Sequence, residues 1–340
     1  MEALVLALES SCDETAAAVY SSSQGVLSNK LFSQIALHAC HGGVVPEIAS
    51  RSHIEKINSI TQQALDAAGV MLQEIDTIAV TQRPGLPGSL LVGVCFAKAL
   101  AGSLDKRLIG VNHLEGHAFS ACIEHDIAFP FLCITASGGH TALYYIRGFG
   151  DYDIIGQTTD DAAGEAFDKV AKLIGLPYPG GPLIEKLAAQ VAFEDFFQYP
   201  RLKNHTTLDL SFSGLKTAVL YDLVKRGLYD LPSKKFLAQG DVTIQQKVAS
   251  SLLVCMGDIF ERVFERALKR YPDVTSLAFV GGVACNIYLQ QRINRVAEKH
   301  ARAFYRPSPQ YCTDNAAMIA FVAQYKAHQD GYADLTMDIY

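Results

Sequence analysis

Two stretches of this 340-residue chain constrain its fold more than any other feature. "ALVLALESSCDETAAAVY", beginning at Ala3, is an apolar run that breaks into a tight polar turn over Ser10–Glu14 and then resumes. "FPFLCITASGGHTALYYIRG", beginning at Phe129, repeats the pattern around Ser137-Gly138-Gly139-His140. Each predicts strand, turn, strand. Their recurrence so far apart predicts an internal structural duplication rather than a short-period solenoid. Turns rich in Ser, Gly and Thr expose successive backbone N–H groups and can cradle phosphate oxygens.

Alternating units lie between and beyond the two hairpins. "IDTIAVTQ" and "RLIGV" predict buried strands, while "SHIEKINSITQQALDAAG" and "SLLVGVCFAKALAGSL" predict helices with Ser52 and Ser89 as N-caps. In the second half, "VTIQQKVASSLLVCMGDIFERVFERALKRY" is a long amphipathic helix. "SLAFVGGVACN" is a strand ending in a glycine turn, and "IYLQQRINRVAEKH" is a helix. "TDNAAMIAFVAQYKAH" predicts a closing helix with Thr313 or Asp314 at its N-cap. Alternating strands and helices with glycine turns mean an α/β architecture, whose binding sites lie beyond the carboxyl ends of the strands. The chain exceeds what one core usually serves, so two lobes are expected. The boundaries fall at 1–130, completed by the C-terminal helix 310–340, and at 131–309.

Charge and cysteine usage exclude several classes. With 29 Lys+Arg against 35 Asp+Glu, the chain does not coat nucleic acid by bulk electrostatics. Lys225, Arg226, Lys234 and Lys235 cluster, as do Lys299, Arg302 and Arg306, but either group alone reads as a solvated face. The 8 cysteines include no C-x-x-C, and several sit in apolar runs, so neither a disulfide framework nor a cysteine zinc site is expected. The N-terminus has no basic segment and its apolar stretch stops at Glu9. No signal peptide and no run of transmembrane length is read, and a reducing cytosol is the expected location.

"VNHLEGHAFS" places His113 and His117 four apart after the strand "RLIGV", on one face of a helix start. Such a pair alone is incidental more often than not. Zinc proteases need H-E-x-x-H or H-x-x-E-H. Here the acid is Glu115, roughly 160–200° around the helix from the histidines at about 100° per residue. The pair can hold a metal, but the protease pattern is not met. A mononuclear site needs a third ligand, and Asp314 in "YCTDNAAMIA" is a candidate, with a plain N-cap as its alternative. Two histidines and a carboxylate with open positions suit Fe(II) or zinc.

Other turns look like nucleotide elements. "TASGGHTA" would hold phosphate or an acyl group through its backbone. "VGGVACN" could admit a purine or ribose against Gly281 and Gly282, with Asn286 hydrogen-bonding it. In "DDAAGEAFDKVAKLIGLPYPGGP", Asp160, Asp161, Glu165 and Asp168 precede a Pro-Gly-Gly turn, and Asp168 beside Gly180-Gly181 could grip a ribose or an amino-acid moiety. Each is weak alone. Their joint occurrence at strand ends supports a nucleotide site.

Taken together, "ESSCDETAAAV", "HGGVVPEIASRSH", "HLEGH", "SGGHTAL", "DDAAGEAFDKVAKLIGLPYPGGP", "SFSGLKTA", "GGVACN" and "CTDNAAMIA" closely resemble one family. It is the bacterial and mitochondrial TsaD-type tRNA threonylcarbamoyladenosine transferases, formerly labelled O-sialoglycoprotein endopeptidases. The motifs run in order from about Leu4 to Ala320. The resemblance implies an actin/Hsp70/sugar-kinase type fold, two lobes of duplicated ribonuclease H-like topology around a nucleotide cleft. It implies one metal on His113, His117 and Asp314, usually iron, with zinc also seen. It implies substrate contacts from Thr135, Ala136, Ser137, Gly138, Gly139, Asp168, Gly181, Glu185 and Asn286.

The implied reaction moves a threonylcarbamoyl group from threonylcarbamoyl-AMP to the N6 amine of the adenosine just 3′ of the anticodon, adenosine 37, in tRNAs reading ANN codons. The donor is a mixed anhydride, so no Ser or Cys nucleophile is required. Asp13 and Glu14 are the candidates to handle the amine proton or orient the donor. Implied partners are tRNA, a TsaB-like paralogue, a TsaE-like ATPase with ATP, and a separate synthase supplying the donor; no membrane is implied. Three departures stand out. Gln82-Arg83 replace a small residue and glycine, Cys285 replaces alanine or serine, and Thr135 stands where archaeal and eukaryotic relatives place a tyrosine. The last favours the bacterial or organellar branch. A metalloprotease and an ATPase-like scaffold without transfer activity are the competing readings.

Overall fold

The computed structural model describes residues 3–201, 207–329 and 331–339. The chain forms two compact units, one made of the residues up to Asp126 together with those from Pro307 onward, the other of Ile127–Arg306.

The first unit is built on five strands: β1 (Leu4–Glu9), β2 (Glu14–Ser21), β3 (Gly25–Ser33), β4 (Thr77–Arg83) and β5 (Arg107–Asn112). Their order is β3-β2-β1-β4-β5, antiparallel from β3 to β1 and parallel from β1 to β5. Leu6, Leu8, Ile78 and Val80 pack with Ala64 and Leu65 of the helix Pro46–Ala68 and with Leu90, Val94 and Ala97 of the helix Pro87–Leu104. Ala7, Ala16 and Ala18 are equally buried, so the central strands are covered on both faces. The C-terminal helix Ala316–Gln329 packs against β1, β2, β5 and the short helix His113–Phe119. After it the chain returns to the sheet. The Ala333 amide donates to Leu108, Gln82 Nε2 donates to the Asp338 carbonyl at 2.5 Å, and Ile339 is buried in the core. Gln82 thus anchors the C-terminal segment.

The second unit repeats this plan with β6 (Phe131–Ala136), β7 (Thr141–Gly148), β8 (Asp151–Gln157), a small β9 (Tyr229–Asp230) and β10 (Lys235–Phe236) ribbon, β11 (Ser276–Val280) and β12 (Ala303–Tyr305). Its main sheet runs β8-β7-β6-β11-β12, again three antiparallel strands followed by two parallel ones. The expected duplication is therefore present strand for strand, a ribonuclease H-like order in each unit. The helix Val242–Arg270 crosses the unit with Phe260 and Phe264 fully buried.

Three sequence expectations are corrected. Ser52 is not an N-cap, because its helix begins six residues earlier at Pro46, after Val45. Ser89 is not one either, because that helix begins at Pro87, after Leu86. Proline at the first helical position, with its fixed φ and missing N–H, sets both starts. The reading that no stretch has transmembrane length also changes, since Pro87–Leu104 is long and apolar enough by length and composition. Ser89, Leu90, Gly93, Val94, Ala97 and Ala101 of this helix are nevertheless buried in the first unit.

Candidate metal centre and nucleotide subsite

β5 delivers the first two candidate ligands. Asn112 ends the strand, and its side-chain carbonyl accepts from the Leu114 and Glu115 amides, so the helix starts at His113. His113 and His117 then share a face, with ring centroids 4.7 Å apart. Asp314 comes from the loop before the C-terminal helix. Its Oδ1 lies 2.9 Å from His117 Nε2 and 3.5 Å from His113 Nε2. The three ligand atoms all lie within 4.8 Å of one another. Glu115 is buried on the far side, its carboxylate 3.7 Å from Lys326 Nζ.

The cap of the C-terminal helix is neither Thr313 nor Asp314, correcting the sequence expectation. Asn315 accepts from the Met318 amide at 3.0 Å and donates to the Thr313 carbonyl, which leaves the Asp314 carboxylate turned to the imidazoles. Asn315→Ala is expected to destabilise the protein by about 1 kcal/mol. A thermal melt reads this, and metal affinity should fall with it because Asp314 loses its anchor.

The turn between β1 and β2 brings more acid to this place. Glu9, at the end of β1, sets Oε2 3.0 Å from His113 Nδ1 and accepts from Thr81 Oγ1 and the Ser11 amide. Ser11 Oγ is 3.1 Å from the same Nδ1. Sequence reasoning missed both residues, because Glu9 reads as the polar end of an apolar strand. The turn itself is held from outside. His53 bridges Thr15 Oγ1 at 2.8 Å and the Cys12 carbonyl at 3.0 Å, and the Leu86 amide donates to Ser11.

Electrostatics mark this cluster as short of positive charge. Burial pushes the Glu14 carboxyl up to about 10, and repulsion from Asp314 and Asp13 and a hydrogen bond with Asp13 add to it. Burial alone would lower His113, yet Asp314 and Glu9 beside it hold it up at about 9. Burial would raise Glu9, but the His113 cation keeps its carboxyl below the usual range. Two imidazole nitrogens and a carboxylate converging among mutually repelling acids form a donor set that a divalent cation fits.

Glu14 has a pH consequence. Unfolded, it releases its proton near the ordinary value of 4.5, whereas folded it holds on to about 10. The folded state therefore binds more protons across that window. Its contribution to stability is full below 4.5 and is lost as pH rises toward 10. Metal-free Glu14→Gln is expected to lose less melting temperature between pH 5 and pH 9 than the wild type. His113 sheds its own contribution over the upper part of the same range in both proteins.

In the second unit, the turn after β6 is closed by the Ser137 amide donating to His140. The helix Ala163–Leu173 starts directly against it, with the Gly164 amide donating to the Ser137 carbonyl at 3.0 Å. A β-carbon on Gly164 would stand 2.6 Å from that oxygen, whereas Gly138 and Gly139 have open space beside them. Gly281, after β11, adopts φ +90°, and a β-carbon there would stand 2.4 Å from the Ala136 carbonyl oxygen. Thr135 and Ala136 are buried in the strand, so Ala136 offers only backbone.

Asp168 accepts from the Gly180 amide at 2.7 Å, and burial raises its carboxyl above the ordinary range. Gly181 borders open space. Glu185 accepts from the Tyr288 amide, and Asn286 caps its helix through the Leu289 amide. The candidate substrate residues thus lie at and beyond the carboxyl ends of β6 and β11 within this unit. His113, His117, Asp314, Asp13 and Glu14 gather in the other.

Comparison with known proteins matches residues 25–321 to the family model described as TsaD, tRNA N6-adenosine threonylcarbamoyltransferase. A protein of that name from Clostridium perfringens is 45% identical over 337 residues, covering 98% of this chain and 96% of its own. One from Geotalea uraniireducens is 48% identical, covering 95% and 91%. Among solved structures, full-length HypF in its phosphate- and nucleotide-bound form aligns with a TM-score of 0.61 at 14% identity, over 97% of this chain and 47% of that one. Component A of (R)-2-hydroxyglutaryl-CoA dehydratase from Acidaminococcus fermentans aligns at 0.52 and 12%, over 97% and 100%. These structural likenesses establish the actin/Hsp70/sugar-kinase type fold.

Proposed function

The chain belongs to the TsaD family of tRNA N6-adenosine threonylcarbamoyltransferases, and on that premise we propose how its residues divide the work. The protein is an acyltransferase that makes threonylcarbamoyladenosine in tRNA. The donor is threonylcarbamoyl-AMP and the acceptor is the N6 amine of adenosine 37 in tRNAs reading ANN codons.

His113, His117 and Asp314 hold one divalent metal, Fe2+ in the first place and Zn2+ as the substitute. When bound, such a cation supplies Lewis-acid polarisation and a template for the donor. Backbone N–H groups of Gly138 and Gly139 receive the donor's phosphate or acyl oxygens. Asp168, Gly181, Glu185 and Asn286 frame its ribose or amino-acid part. The amine attacks the acyl carbon, AMP leaves as the acyl–phosphate bond breaks, and the amine's proton passes to the Asp13 carboxylate, while Glu14, which keeps its own proton to about 10, orients the donor. Orientation of the anhydride against the amine supplies much of the rate.

The observation that carries this division is the convergence of three ligand atoms in a chain matched by the family along nearly its whole length. Glu115, paired with Lys326, is not placed to serve as a protease base. A scaffold without transfer activity has no use for the triad. The TsaB-like paralogue, the TsaE-like ATPase with ATP and a donor synthase are the partners proposed from family membership, and the cytosol is the proposed compartment. Purified protein with these partners, labelled threonine, ATP, bicarbonate and unmodified tRNA should label the tRNA. Label that stays out of tRNA while metal-loaded protein cleaves peptides would overturn the assignment.

A further inference from the structure

We propose that Glu9 is a positioning residue for the metal centre, accepting the Nδ1–H of His113 so that Nε2 is the atom left to ligate. The inference rests on the assignment of a metal to His113, His117 and Asp314 above.

Glu9 closes an apolar strand and is 1% exposed. A carboxylate buried so deeply is costly unless its oxygens are engaged. Ser11 N–H occupies Oε1 at 2.5 Å and Thr81 O–H occupies Oε2 at 2.5 Å. Two separate elements, the β1–β2 turn and β4, thus fix the carboxylate before His113 reaches it. The imidazole then meets Oε2 through Nδ1 at 3.0 Å, and its other nitrogen looks toward Asp314. A ring that offers a lone pair at Nε2 must carry its proton on Nδ1, and an ionised carboxylate is the strongest acceptor available there. His117 is the contrast, since its buried Nδ1 has no hydrogen-bond partner among the described residues. Among the described residues, Glu9 is the carboxylate that meets a triad imidazole from behind.

The test measures Zn2+ affinity of the full chain by competition with a chromogenic chelator, for wild type, Glu9→Gln and Glu115→Gln. Glu9→Gln keeps the volume and is expected to bind about 10–100-fold more weakly. Glu115→Gln, also buried and on the ligand helix but turned to Lys326, should stay close to wild type. Zn-loaded protein labelled with ¹⁵N-histidine should show the His113 proton on Nδ1 and the metal shift on Nε2. Wild-type affinity in Glu9→Gln overturns the inference and leaves the metal assignment standing. So does an equal loss in both variants, or a His113 proton found on Nε2. Wild type that binds no Zn2+ overturns both.

Discussion

His113→Ala is expected to cut threonylcarbamoyl transfer by on the order of 10³-fold, several kcal/mol of lost transition-state stabilisation, and to abolish stoichiometric metal. Two ligands would remain, His117 and Asp314, with Asp314 facing repulsion that already raises Glu14. The substitution also strands Glu9, whose ionised state depends on the His113 cation. Leaving a buried carboxylate unpaired costs about 3–5 kcal/mol, so this variant should be measurably less stable. Asp314→Asn separates the two effects. It keeps the shape and leaves Asn315 to cap the helix, so the fold should hold while metal and transfer are lost. Transfer that survives in Asp314→Asn with metal still bound would remove the carboxylate from the ligand set.

Gly164→Ala is expected to cost roughly 100-fold in kcat/KM through the donor, with metal content unchanged. The new β-carbon would meet the Ser137 carbonyl oxygen at 2.6 Å and the Gly138 α-carbon at 2.9 Å. Both neighbours are backbone, which cannot rotate aside, so the turn itself must shift. Helical φ suits alanine, and the helix should therefore persist while the proposed donor cradle moves. The measurement is steady-state kinetics against threonylcarbamoyl-AMP, beside a metal assay. Unchanged donor kinetics would show that the Ser137–Gly139 turn does not touch the donor.

Much of this fold was legible because it repeats. An apolar strand, a polar turn and a second strand occur twice, and β1–β2 and β6–β7 stand where those runs predict them. The histidine pair was legible because its helix follows directly from a strand end. Helix starts were less so. Ser52 and Ser89 drew attention as capping residues beside apolar periodicity, while Pro46 and Pro87 carried the actual signal. Glu9 was not legible, since nothing local distinguishes a strand's polar last residue from one aimed at an imidazole 104 positions later. Asp314 and Asn315 show the same limit, because adjacent polar residues before a helix divide capping and ligation only once the histidines are in place.

That division has a mechanical consequence. The proposed ligand Asp314 sits one residue ahead of the cap of Ala316–Gln329, whose first two turns are buried among β1, β2 and β5. Cation occupancy would therefore pin the start of a helix that threads its unit's interior. Amide hydrogen exchange over 316–319 should slow when metal is added and quicken when it is chelated, making that helix a gauge of occupancy built into the backbone.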